Sequence, residues 1–205
     1  MKRKLDLDNW DRKEHFEFFS KIEEPFFGFT VNIDCTGAYK KAKALNVSFF
    51  IYYLHKTLIT TNAIENFRYR IIDGEVFLHD KINASVTIMR DDKTFGLSLV
   101  EFDEDLHRFN ENAKKRIEKV HNTNGLSIRF LSDTIHFSII PWISFSAVSH
   151  ARGFNYPDSC PKIVFGALRE ENGKKHMPLS VHVHHGLMDG YHVGLFLERL
   201  NTEMQ

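Results

Sequence analysis

The stretch Pro178-Leu-Ser-Val-His-Val-His-His-Gly-Leu-Met-Asp-Gly190 limits the fold of this 205-residue chain more than any other segment. Leu179, Val181, Val183 and His185 alternate with Ser180, His182 and His184, so an extended backbone sends the two sets to opposite faces. The alternation stops at Gly186, and glycines at 186 and 190 flank a segment containing Asp189 that can turn tightly. Beyond it Val193, Phe196, Leu197 and Leu200 recur at i, i+3, i+4 and i+7, the stripe of an amphipathic helix. A strand must therefore pass through a short turn into a helix, with His185 before the turn and Asp189 at its far end.

Two further helical stripes precede this unit. After Asn46, Phe50, Leu54, Leu58 and Thr61 share one face; near Asp103, read as an N-cap, Leu106, Phe109, Ala113, Ile117 and Val120 do the same. Strands are predicted over Phe67 to Ile72 and Glu75 to Leu78, joined as a hairpin by Asp73-Gly74. Ser85 to Arg90 pairs with Phe95 to Glu101, and Ile135 to Ala147, Lys162 to Arg169 and Leu179 to His185 complete the set. Runs of strands with a few long helices indicate an α+β fold, a mixed sheet with helices on one side. No linker, low-complexity tract or internal repeat interrupts it, which predicts a single domain over residues 1–205.

Composition narrows the function. Basic and acidic residues number 27 each, so the net charge is zero and the strongly basic footprint of a nucleic-acid-binding domain is missing. Nineteen phenylalanines predict an aromatic interior or ligand pocket. The basic N-terminus is followed by no apolar stretch, which predicts neither a signal peptide nor a membrane span. Cys35 and Cys160 lie far apart without a CxxC pattern, and read as free thiols in a reducing cytoplasm with no metal site.

On residue type alone the histidine cluster has three uses. His185 ends an apolar face, where partial dehydration disfavours the imidazolium and leaves the neutral ring a general base needs. His182 and His184 have the same-face spacing of a metal pair, although no third ligand of suitable type lies nearby. Ordinary strand-end polarity accounts for the cluster equally well. A Ser-His-Asp hydrolase is disfavoured, since no GxSxG occurs.

A family likeness separates these uses. His184-His185-Gly-Leu-Met-Asp189-Gly190 matches the HHxxxDG signature of chloramphenicol acetyltransferases and of the acyltransferase cores of 2-oxoacid dehydrogenase complexes. Asn9-Trp-Asp-Arg-Lys-Glu-His-Phe-Glu-Phe18 closely resembles the N-terminal segment of the chloramphenicol acetyltransferases. Phe67-Arg68, Asp73-Gly74-Glu75, Thr94-Phe95, Ser138-Ile-Ile-Pro-Trp-Ile-Ser-Phe145 and Tyr191-His-Val follow in the family's order. The resemblance covers nearly the whole chain and leaves no room for a lipoyl domain, which favours the antibiotic-modifying branch.

The resemblance implies a cytoplasmic homotrimer with inter-subunit active sites, acetyl-CoA as co-substrate, and no tightly bound cofactor or metal. His185 would be the general base, and Ser138 the donor to the oxyanion of the tetrahedral intermediate. Arg12 and Asp189 would form the buried pair that holds the histidine turn. By position Phe18, Phe19 and Phe95 resemble residues lining the acceptor pocket, and Trp142 would flank the pantetheine channel. Two positions depart from the family pattern. Phe19 stands where tyrosine is common, and Val164 replaces a threonine that helps to hold an active-site water. The resemblance thus implies chloramphenicol as acceptor, with another hydroxyl or amine compound as the alternative and a non-catalytic binding module as a third reading.

Overall fold

The computed structural model describes residues 1–126, 131–153 and 158–205. In chain order the elements are β1 (Lys2–Lys4), α1 (Lys13–Phe19), β2 (Phe26–Asp34), α2 (Thr36–Ala44), α3 (Phe49–Ala63), β3 (Tyr69–Ile72), β4 (Glu75–His79), β5 (Asn83–Met89), β6 (Phe95–Val100), α4 (Leu106–His121), β7 (Thr134–Ile139), β8 (Lys162–Phe165), β9 (Arg169–Glu171), β10 (Lys174–His184) and α5 (Gly190–Met204). The large sheet runs β2-β10-β8-β7-β5-β6, with β9 pairing to β10, and a small sheet runs β1-β4-β3. Pairs β5–β7 and β7–β8 are parallel and the other large-sheet pairs antiparallel. The sheet is mixed, as the runs of strands between a few long helices predict.

Its two faces are chemically opposite. Ala84, Val86, Ile135, Phe137, Ile163, Phe165, Leu179, Val181 and Val183 point to one face and are all at most 1% exposed. Helix α3 lies over it, stacking Tyr53 on Phe137 and Phe165 with centroids 6.1 and 4.7 Å apart. Helices α2, α4 and α5 flank α3, and α5 contributes the fully buried Val193, Phe196 and Leu200. The other face carries Ser85, Thr87, His136, Ser138, Lys162, Ser180, His182 and His184, in strands whose neighbours are apolar.

Several boundaries differ from the sequence reading. The strand expected over Ile135 to Ala147 stops at Ile139, because Pro141 has no N–H to offer a ladder. The chain turns there, with Ile143 N–H donating to Ile140 O at 3.2 Å. The strand expected to reach Arg169 ends at Phe165: Gly166 and Ala167 give their N–H groups to Pro178 O and Ile143 O instead. Phe67 and Arg68 belong to a 3-10 turn before β3. The cap of α4 is Asp105, whose carboxylate accepts Arg108 N–H at 2.9 Å, while Asp103 accepts Asp105 N–H and the Arg108 guanidinium, each at 2.8 Å. Strands β1 and β2, all of β9 beyond Arg169, and helices α1 and α2 were absent from the sequence expectations.

Phe137 sits at the centre of the helix-covered face, so truncation to Ala removes a ring that nothing nearby can replace. Urea unfolding should show a loss of about 3–5 kcal/mol, and a loss below about 1 kcal/mol would place the core elsewhere.

Candidate active site

The turn after β10 is held from the opposite end of the chain. Trp10 packs edge-on to Tyr69 (centroids 5.4 Å apart) and also against Phe16, seating the N-terminal segment beside the turn. This places Arg12 so that Nη1 donates to Asp189 Oδ2 at 2.7 Å and Nη2 to His185 O at 3.2 Å. One planar guanidinium thus fixes both ends of the 185–189 turn. Leu187 N–H donates to His184 O at 3.0 Å, and Asn66 Nδ2 donates to Leu187 O at 3.1 Å. Asp189 is also the N-cap of α5, its Oδ1 accepting Tyr191 N–H at 3.1 Å with His192 Nδ1 at 2.9 Å. The structure brings Arg12 and Asp189 into contact as expected, but the pair is half-buried rather than buried, its side chains 12% and 34% exposed.

Partial burial by itself pushes the Asp189 carboxyl up. Hydrogen bonds from Arg12 and His192, together with their charge, outweigh it and bring the pKa down to about 2. A carboxylate with a depressed native pKa adds stability that is complete above its unfolded value near 3.9 and is lost as pH falls through the native value.

His185 leaves β10 on the side of Val183 and is gripped by rings. Its imidazole stacks on Phe19 with centroids 3.9 Å apart and planes 6° apart, and lies 4.3 Å from the tilted ring of Phe27, the strand partner of Val183. The His185 N–H donates to Pro25 O at 2.8 Å. Nδ1 is buried without a hydrogen-bond partner among the described residues, which leaves Nε2 as the ring nitrogen not enclosed by the fold. A neutral ring that accepts a proton at Nε2 carries its own on Nδ1. Phe27, on the unforeseen strand β2, was missed by sequence reasoning; Phe19 is placed against the imidazole.

His184 and His182 face the other way. His184 Nδ1 accepts Gly186 N–H at 3.1 Å, and burial, then the charge of Arg152, push its pKa down to about 4, which leaves it neutral. His182 Nδ1 lies 3.2 Å from Ser180 Oγ. Its ring covers Gly28, where an added Cβ would fall 2.6 Å from it; only glycine leaves room. Among the described residues no group of three His, Cys, Asp or Glu side chains stands ready to hold a metal ion.

Ser138 is on that second face, level with Val164 on β8 and, through it, Ser180 on β10. Val164 is 2% exposed and forms no hydrogen bond through its side chain. Two strand spacings and five residues along β10 separate Ser138 from His185, on the order of 19 Å. The two lie on opposite faces as well, so one chain does not bring them together. Phe18 and Phe19, with rings 5.1 Å apart, belong to the His185 side. Phe95 opens β6, the far edge of the sheet, and Trp142 is 61% exposed in the turn after β7.

An imidazole gripped by aromatic rings at the end of a sheet strand, with its turn pinned by an arginine–carboxylate pair, accompanies a likeness to known proteins that gives the class: an acyltransferase that works on acetyl-CoA. A solved structure titled probable dihydrolipoamide acetyltransferase from Listeria monocytogenes has the same fold, with a TM-score of 0.66 at 14% identity over 93% of this chain and 88% of that one. The model of the chloramphenicol acetyltransferase family matches residues 2–201, and the chain belongs to that family. It is 32% identical to the chloramphenicol acetyltransferase of Campylobacter coli over 96% of this chain and 95% of that protein. Identity to one from Escherichia coli is 28%, covering 96% and 90%. A solved chloramphenicol acetyltransferase superposes with a TM-score of 0.91 over all of both chains, at 28% identity. Among the described residues no helix is long and apolar enough to cross a membrane.

If the Arg12 contact is what depresses the Asp189 carboxyl, thermal unfolding of the protein should lose stability steeply between pH 4 and pH 2. Asp189→Asn should start lower and respond less over the same interval; parallel curves would dissociate the pair from acid stability. In a double-mutant cycle, Arg12→Ala and Asp189→Ala together should cost less than the sum of the two single changes, since both remove one interaction.

Proposed function

We propose that this enzyme is a cytoplasmic, single-domain homotrimer that moves the acetyl group of acetyl-CoA to a hydroxyl of chloramphenicol, with no resident cofactor and with each active site shared by two subunits. The whole-length likeness to proteins named for that activity supports the acceptor. The observation that carries the shared site is the separation of Ser138 from His185. A serine and a base on opposite faces, on the order of 19 Å apart, act on one tetrahedral centre only if a second copy supplies one of them. The same division sorts the candidate acceptor residues, with Phe18 and Phe19 beside one subunit's base and Phe95 on the serine's side of the next.

In this reading Nε2 of His185 takes the proton of the acceptor hydroxyl while the oxygen attacks the thioester carbonyl. The Ser138 hydroxyl of the neighbouring copy donates to the oxyanion that develops. Collapse of the intermediate breaks the carbon–sulfur bond, and the thiolate takes the proton back from His185 to leave as CoA. No acyl-enzyme is needed, because holding both substrates together supplies proximity. The stack on Phe19 and Phe27 fixes the ring's plane, and the Arg12 bond to the His185 carbonyl fixes its backbone. Trp142, exposed in one chain, would flank the pantetheine arm. Phe19 offers no hydroxyl to the acceptor and Val164 none to a bound water, so binding and turnover should be weaker than with tyrosine and threonine there.

His185→Ala should abolish CoA thiol release in a folded protein, and Ser138→Ala should lower kcat about 100-fold or more. Mixing the two variants by co-expression discriminates more sharply. Random assembly gives about one quarter of the sites an intact His185 from one copy and an intact Ser138 from the next, so activity should return to about that fraction. Mixed oligomers as inactive as the parents would refute the shared site.

A further inference from the structure

A cavity of about 170 Å³ beside Ser138 is walled on one side by Thr87 and Leu97. These two residues pair across β5 and β6, and Met89 pairs with Phe95 in the next row along the same face. Ser85, on that face of β5, is level with His136 of β7, so the whole set stands on the Ser138 side of the sheet. The end of the β5–β6 hairpin therefore carries part of the cavity wall, with Phe95 half-exposed two residues before Leu97. Strand β6 is the edge of the large sheet, and no further strand holds its outer side.

Arg90 holds this end from the opposite, helix-covered face. Its side chain is buried and reaches three main-chain carbonyls. Nε donates to Val120 O at 3.1 Å, Nη2 to Gly125 O at 2.7 Å and Nη1 to Phe95 O at 2.9 Å, with Thr94 Oγ1 also within 3.4 Å of Nη1. Val120 is in the last turn of α4 and Gly125 lies just beyond it, where the negative end of the helix dipole favours a guanidinium. Gly96 makes the room, since a Cβ there would fall 2.5 Å from Arg90 Nη2 and from Val120 Cγ1. The hairpin tip closes by other means. Arg90 N–H donates to Thr94 O at 2.8 Å, and Asp92 Oδ1 accepts Thr94 N–H at 2.9 Å. What the guanidinium adds is a tie between the hairpin end and α4.

We infer that Arg90 is a positioning residue for the acceptor: by binding Phe95 O to the end of α4, it sets where the Phe95 ring stands beside the Ser138 cavity. This rests on the acceptor reading of Phe95 given above and names the residue that aims the ring. Arg90 touches no reacting atom and moves no proton. Its loss should therefore fall on acceptor binding, and leave the binding of acetyl-CoA in place.

The test is a double-mutant cycle of Arg90→Gln and Phe95→Ala. It is read as the chloramphenicol KM from CoA thiol release and as the chloramphenicol Kd from calorimetry, with the KM for acetyl-CoA measured alongside. Phe95→Ala should raise both chloramphenicol constants about tenfold and Arg90→Gln about fivefold, while the acetyl-CoA KM stays within about twofold of wild type. In the Phe95→Ala background, Arg90→Gln should raise neither constant further, because the ring it aims is gone. Full additivity, or wild-type constants in Arg90→Gln alone, would overturn the positioning role and leave Phe95 in the pocket. An equal loss of acetyl-CoA affinity would mark a general loosening and overturn the role as well. If Phe95→Ala changes neither chloramphenicol constant, or if the wild type neither acetylates nor binds chloramphenicol, the acceptor reading fails and takes the positioning role with it. Arg90→Lys keeps the charge at the helix end but cannot span three carbonyls; it takes the place of Arg90→Gln in the cycle, with the same outcomes, if the glutamine variant does not fold.

Discussion

Everything in this protein depends on a sheet whose two faces were made for different neighbours. In β7 and along most of β10 apolar residues alternate with polar ones, and in β8 Lys162 and Val164 share the polar side, so Phe137, Ile163 and Val181 meet the helices while His136, Lys162 and His182 meet whatever lies opposite. Period-two alternation makes the choice binary: a one-residue slip in any strand would send histidines and a lysine under α3. The helices therefore fix the register, and the register lays out the polar floor row by row. Chemistry and stability are written in the same strands without competing for the same residues.

The second constraint is the Arg12 guanidinium. It links a residue near the beginning of the chain to a turn 177 positions later, and in doing so holds the backbone oxygen of His185 and the capping carboxylate of Asp189 together. The rings of Phe19 and Phe27 then set the plane of the imidazole. A charge pair orients the main chain and aromatic surfaces orient the side chain. Losing either would leave the imidazole present yet loosely held.

How much of this could be read beforehand varied with the kind of signal. Helices α3, α4 and α5 and the β3–β4 and β5–β6 pairs were legible because their periodicity is clean and their turns carry Gly or Asp. Strand β2 was not, since Phe26-Phe27-Gly28-Phe29 shows no alternation and contains the glycine that His182 requires. The apolar run through Trp142 and Ile143 looked like a strand, yet those side chains are 61% and 55% exposed beyond a proline-enforced turn. His185 stood out by residue pattern, and it, Asp189, Arg12 and Ser138 received their roles through family resemblance; alternation sets Ser138 opposite Phe137 and His185 with Val183, but nothing in their spacing shows how far apart the two lie. That distance depends on strand order, which sequence patterns do not encode. The alternating His136, Lys162 and His182 were open to the same period-two reading as the valines, and could have been noticed as a row.

Strand order also has a consequence for synthesis. The central strand β10 lies between β2 and β8, and it is the last strand of the chain to be made. Until it emerges from the ribosome, β2 has no partner and β8 has an open side, and both present unpaired backbone groups to other chains. Arg12 likewise waits for Asp189. The nascent protein must carry an unfinished sheet for most of its translation, then close it in a late step of high contact order. Holdase chaperones should therefore engage the segments around β2 and β8 in preference to the helical ones, and slowing translation should prolong that exposure without helping the fold to form.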